Sequence, residues 1–221
     1  MGMFKRIAGL FCLAMYANVG IASILTDLSD PETPPLGFYG RPLVGVIASQ
    51  LDGDQASGYN KFGYQLGMVT GFRWNDDGFS GLEMQMSMNE RGSRRAFDPI
   101  TFVNAFHIRC KQVELQLNGL YDVEAPVVGL LSICGGLRYA KLLSVEEVEG
   151  TNPGIAEDFK KGSMMLELGV TKSVSELMDL RLTFDYGLSN AVKQDGGNVF
   201  YPTGVYHNGV GAAVLLKLGK Q

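Results

Sequence analysis

Very little in this sequence can hold a fold together covalently. Its 221 residues include three cysteines. One of them, Cys12, lies in a leading segment expected to be cleaved, and the remaining Cys110 and Cys134 are too few for a disulfide scaffold at this length. Whether those two pair across neighbouring strands is left open by the sequence. Histidine is equally scarce, with only His107 and His207, and the chain has no HExxH, nucleophile elbow or phosphate-binding loop. No catalytic residue, metal ligand or cofactor is assigned. Asp52-Gly53-Asp54 offers two carboxylates around a turn glycine, whereas calcium needs six or more oxygens. Basic charge is in deficit: 19 Lys and Arg against 23 Asp and Glu give −4, or 17 − 23 = −6 once Lys5 and Arg6 are removed, which argues against nucleic acid as a partner. Past the leading segment no apolar run reaches 18 residues. The nearest, 127 to 143, is interrupted by glycines, Arg138 and Lys141, so membrane-spanning helices are excluded.

What is present is organised along the chain. Lys5 and Arg6 precede an apolar run from Ile7 to about Tyr16, and Gly20-Ile21-Ala22 offers small residues for cleavage, so residues 1–22 read as a secretory signal peptide. Residues 23–37 hold prolines and acids without periodicity and read as a periplasmic tether. Residues 38–221 repeat one pattern. In KFGYQLGMVTGFRW, residues 61–74, alternate positions are apolar, a period of two that specifies a β-strand. The same grammar marks strands at about 38–49, 79–93, 103–120, 127–143, 161–173, 178–189 and 206–218. In the fourth, Phe106, Ile108 and Cys110 have the opposite parity to Val113, Leu115 and Leu117, which predicts a bulge near Lys111 or Gln112.

Eight strands predict an all-β, eight-stranded antiparallel up-and-down transmembrane β-barrel, whose closure leaves no free edge. Three connections are tight: 75–78, 122–126 and 174–177. Four are long: 50–60, 94–102, 144–160 and 190–205. Short turns on one rim and long loops on the other match a bacterial outer-membrane barrel with both termini periplasmic. The polar faces of the strands then form a packed lumen network of Arg73, Glu83, Glu114, Arg138, Glu167, Arg181, Asp185 and Lys217, four cations and four anions. Interface aromatics are expected at Phe62, Tyr64, Phe72, Trp74, Phe79, Tyr121 and Tyr186, with Phe38, Tyr39, Phe106 and Tyr206 at the same two heights. Arg91, Arg94 and Arg95, where the third strand leaves the bilayer, are candidate contacts for lipopolysaccharide phosphates.

Four stretches carry a family resemblance: LDGDQASGYNKFGYQLGMVTGF at 51–72, FSGLEMQMSMNERGSRR at 79–95, GGLRYAKLLS at 135–144, and LRLTFDYGLSNA followed by YHNGVGAAVLLKL. The chain resembles the PorT-like outer-membrane β-barrel proteins of the Bacteroidota over about residues 40–218. That resemblance implies an eight-stranded outer-membrane barrel, in a family whose name-giving member is associated with the type IX secretion and gliding machinery. The expected partners are outer-membrane lipid, with lipopolysaccharide or secretion-machinery proteins beyond it. The reading is a structural or interaction role in envelope integrity, adhesion or secretion. Its alternatives are a soluble exported lipocalin-like binding barrel and an outer-membrane lipid-modifying enzyme using His107 or His207.

Overall fold

A computed structural model describes residues 36–53, 58–74, 79–95, 105–126, 128–149, 158–193 and 204–217. The signal segment, the tether through residue 35 and the 75–78 turn lie outside the described residues. Eight strands follow in order: β1 Gly37–Asp52, β2 Lys61–Arg73, β3 Phe79–Arg95, β4 Phe106–Ala125, β5 Gly129–Glu149, β6 Gly162–Ser175, β7 Met178–Gly187 and β8 Tyr206–Leu216. Each pairs antiparallel with its sequence neighbours, and β1 pairs with β8 from Leu43↔Leu215 to Asp52↔Tyr206 to close the barrel. Closure pairs each strand on both sides over the middle of the barrel, leaving single-sided stretches at the rims, such as Gly37 to Pro42 of β1. Pro42, which has no donor, sits one position below that seam, where β1 runs beside β2 alone.

The short connections share one rim with the start of β1 and the end of β8: Gly37 pairs with Arg73, and Met178 with Leu216. On the opposite rim β3, β4 and β5 run furthest. The sequence places the third long loop at residue 144, but β5 continues to Glu149 and β4 extends down to Ala125. The β4–β5 turn is therefore tighter than expected, with Val128 N–H donating to Ala125 O.

The register shift falls at Lys111/Gln112, where a bulge was expected, but the extra residue is on the partner strand. β4 keeps one parity throughout: Ile108, Cys110, Gln112, Glu114, Gln116, Asn118 and Leu120 all face the interior. The extra residue lies in β5, where Gln112 pairs with Leu142 and Lys111 with Ser144, leaving Leu143 unmatched. That bulge lets both Leu142 and Val145 point inward. The apparent parity change in β4 reflects a change in what the lumen contains, from polar at mid-height to apolar at the mouth.

Cys110 pairs with Val145 and Cys134 with Leu120, so the two thiols sit at different heights. Both are free and buried, and the open question of a disulfide is answered in the negative.

Candidate functional site

The polarity of the barrel is inverted relative to a water-soluble protein. Among the described residues, 26 buried side chains are polar or charged and 17 are hydrophobic, while 34 large hydrophobics are exposed. All eight strands contribute to that exposed set, from Val44 and Val46 on β1 to Val210 and Leu216 on β8. A soluble monomer rarely exposes a contiguous apolar patch beyond a few hundred Å². On β7 the exterior positions run Met178, Leu180, Leu182, Phe184, Tyr186 and Leu188. Ten residue steps at ~3.3 Å and a tilt near 40° give an apolar band about 25 Å tall, the height of a transmembrane barrel's belt.

Among the described residues, the interior charges are paired. Near the short-turn rim, Arg73 binds Asp122 at 2.6 Å and donates to Ser132 Oγ at 2.8 Å. Asp179 there takes Arg41 and, at 3.1 Å, Lys217. Above them Arg181 holds Glu83 at 2.6 Å and Thr171 Oγ1 at 2.8 Å, and Tyr39 donates its hydroxyl to the other Glu83 oxygen at 2.6 Å. The central cluster is the most connected. Arg91 contacts Glu114 at 2.6 Å and Asp185 at 2.7 Å. Arg138 reaches Glu114 at 2.9 Å, Asp185 at 3.1 Å and Glu167, and donates twice to Gln116 Oε1. These groups are essentially excluded from solvent, so each charge must be compensated within the lumen.

The mouth is sealed differently. Leu51, Ile108, Cys110, Phe159, Ala191, Val192 and Val205 form an apolar cluster above the ions. Segments from two long connections cross over it. Lys160 N–H donates to Ala191 O, Ala191 N–H to Val205 O, and Lys193 N–H to Asp158 O. Asn190 Oδ1 accepts from the Val192 and Val205 amides at 3.1 and 2.9 Å, tying together the two ends of the β7–β8 connection. Gly204, at φ +85, brings its backbone so close that an added Cβ would lie 2.8 Å from Asn190 Nδ2. His207 lies beneath this strap, next to Gln112 at 3.3 Å and Phe159, and so points away from the barrel exterior.

The eight lumen residues named from sequence, Arg73, Glu83, Glu114, Arg138, Glu167, Arg181, Asp185 and Lys217, all lie in this network. Tyr39, Arg41, Asp122 and Asp179 belong to it as well; each shares the parity of its neighbours on the inner face. Arg91 is a correction. Instead of meeting phosphates at the rim it is fully buried, because β3 carries its inward register, Glu83, Gln85, Ser87, Asn89, one step further. Arg94 and Arg95 do stand at the outer end of β3. Tyr39 is a second correction: it faces the lumen where an interface position was expected. The exterior aromatics Phe38, Phe72, Trp74 and Phe79 form a chain at the short-turn rim, with ring centroids 4.7, 6.0 and 5.2 Å apart, and Phe79 pairs with Tyr121. Trp74 Nε1 donates to Phe79 O at 2.7 Å. Phe62 and Tyr186 are exposed towards the other rim and Tyr64 is half-buried there; the Phe106 side chain lies outside the described residues.

Fold and site together define a closed eight-stranded antiparallel barrel with an apolar exterior and a charge-compensated, side-chain-filled interior. No family model matches the chain, and no curated protein matches it in sequence. Among solved structures it is similar to Ail, the attachment invasion locus protein of Yersinia pestis, at 12% identity over 83% of this chain and 100% of that one, with a TM-score of 0.41. It is similar to Neisserial surface protein A at 17% identity, covering 82% and 97%, TM-score 0.43. The outer membrane protein OprG from Pseudomonas aeruginosa follows at 13% identity, 85% and 97%, TM-score 0.37.

Proposed function

We propose that the protein is an integral bacterial outer-membrane barrel with a filled lumen, serving a structural or interaction role through the loops on its long-loop rim. The observation that carries this is the continuous exterior belt over all eight strands around an interior of paired charges. In water the belt would be exposed at large cost; in hydrocarbon the same belt is solvated and the ions stay inside. The short-turn rim with both strand termini then faces the periplasm, and the long loops face outward. The resemblance to the PorT-like proteins of the Bacteroidota supports the outer-membrane barrel and its location; envelope integrity, adhesion and a place beside a secretion complex are the roles open to it.

A lipocalin-like binder would need an apolar cavity, and the interior positions here are instead occupied by Arg91, Arg138, Arg181 and their carboxylates. Of the two candidate bases for a lipid-modifying enzyme, His207 is enclosed under the mouth strap and His107 is half-buried near the start of β4. The test is electrophoresis of membrane-extracted protein before and after boiling, combined with membrane fractionation. A heat-dependent mobility shift in the outer-membrane fraction is expected. Detergent-free solubility without a shift would overturn the reading.

A further inference from the structure

The pairing of charges in the lumen is uneven along its height. Among the described residues, the short-turn end holds Arg41, Arg73 and Lys217 against Asp122 and Asp179, and above it Arg181 meets Glu83 one to one. The central cluster has the opposite imbalance: Glu114, Glu167 and Asp185 share only Arg91 and Arg138. All five side chains are at most 1% exposed, so water cannot screen the charge left over.

Strand register locates the excess. Glu114 is fully served, with Arg91 Nε on one oxygen at 2.6 Å and Arg138 on the other at 2.9 Å. Glu167 and Asp185 are a direct cross-strand pair of β6 and β7, both pointing inward, where like charges repel. The flanking positions on β5 and β8 are Gly136 and Gly209, which bring no further side chain to the pair. Asp185 Oδ2 takes both guanidiniums, at 2.7 and 3.1 Å, while Asp185 Oδ1 is buried with no donor. Glu167 meets Gln116 Nε2 with one oxygen and Arg138 with the other. The other elements around the cluster supply no third cation. Ile47 of β1 is uncharged, Lys61 of β2 is held by Glu90, and Tyr59 of the β1–β2 connection offers a phenol. His207 of β8 packs against Gln112 and Phe159, and a charge on it would add to that of Arg91 nearby. The loop residues outside the described set contain no lysine, arginine or histidine.

We propose that Glu167 and Asp185 form a proton-binding site and share one proton: one carboxyl keeps its O–H and donates it to an oxygen of the other, which stays ionised. Two carboxyl groups forced together away from water hold a proton between them because both cannot carry charge at that separation. The shared proton reduces three negative charges to two, equal to the two guanidiniums, and gives Asp185 Oδ1 a hydrogen-bonding partner. The apolar cluster of the mouth separates the site from the long-loop side. The inference rests on the lumen alone and stands whether or not the exterior belt lies in a bilayer.

The test uses the folded full chain in detergent micelles at neutral pH. Infrared spectra of the wild type are expected to show the carbonyl stretch of a protonated carboxylic acid, shifted in heavy water and absent from Glu167→Gln and from Asp185→Asn. Asp122→Asn, in a separate pair near the short-turn rim, should leave that band in place. Denaturant unfolding gives a second readout. Each single variant keeps two carboxylates for two guanidiniums, so both should unfold at or above the wild-type midpoint. The double variant Glu167→Gln/Asp185→Asn leaves Glu114 alone with Arg91 and Arg138 and should unfold below it. A wild type without the protonated-acid band overturns the site, as does a band that survives both single variants. A midpoint lowered in both singles, or failure of both to fold, overturns it as well, because each carboxylate would then be needed as an ion by its arginines.

Discussion

Arg138 holds Glu114, Glu167 and Asp185 at once, and no other cation in the lumen meets three carboxylates. Replacing it by Met leaves Arg91 alone to compensate a cluster of three carboxyl groups. Breaking a buried pair from one side costs about 3–5 kcal/mol, so Arg138→Met should lower the unfolding free energy of the barrel by that amount and shift its denaturant midpoint down accordingly, read from the loss of the unboiled band. Tyr39 is a milder case. Its hydroxyl donates to Glu83, and Gly71 opposite provides the room: an added Cβ would sit 2.4 Å from Tyr39 Oη. Tyr39→Phe is expected to cost about 1–3 kcal/mol by leaving a buried carboxylate oxygen short of one donor. Gly71→Ala should reproduce much of that loss without touching Tyr39, and the same unfolding curve compares them.

At the scale of the element, β7 offers a ruler. Leu182 is near the middle of its exterior face and Leu188 lies just past its outer end, with nearly equal exposure of 50% and 49%. Equal exposure to water would make Arg equally tolerable at both. In a bilayer the cost depends on depth, about 2–4 kcal/mol at the midplane and ~0–1 near the interface. Leu182→Arg should therefore destabilise the vesicle-inserted protein well beyond Leu188→Arg, as measured by equilibrium unfolding from vesicles. The mouth strap is tested by its clamp. Asn190→Ala removes the acceptor shared by the Val192 and Val205 amides, at about 1 kcal/mol for each bond. Cys110, buried below the strap, should then react faster with a membrane-impermeant thiol reagent, while Cys134 deeper in the lumen stays protected. Peptide mapping of the label separates the two; equal labelling of both would indicate general unfolding instead of a loosened mouth.

For the whole molecule, the two interior seals act in series. The ion network fills the lumen from Asp122 to Arg91, and the apolar cluster from Leu51 to Val205 caps it. Eight strands enclose little more space than side chains fill. Planar-bilayer recordings of the purified protein should show no sustained ohmic pore, and regular conductance steps would contradict a filled barrel. The pairing of the interior fits this role: among the described residues Arg41, Arg73, Arg91, Arg138, Arg181 and Lys217 meet Glu83, Glu114, Asp122, Glu167, Asp179 and Asp185, and buried Lys61 meets Glu90.

Alternation was enough, by itself, to determine eight strands, their two faces and the grouping of short and long connections, because a period of two is a local property written in neighbouring residues. The same alternation puts Arg73, Glu83, Glu114, Arg138, Glu167, Arg181, Asp185 and Lys217 on one face of their strands. Arg91 shows where local reading stops: its parity was visible, but whether β3 still faced an interior at that height depended on how far β4 and β5 rise beside it. The β4 parity change was visible too, yet only pairing revealed that the extra residue is Leu143 of β5. The apolar mouth was invisible because Leu51, Ile108, Phe159, Val192 and Val205 come from distant stretches and meet only after closure. Face is encoded within a strand; partner and height are set between strands, by the long-range hydrogen bonding that closes the sheet.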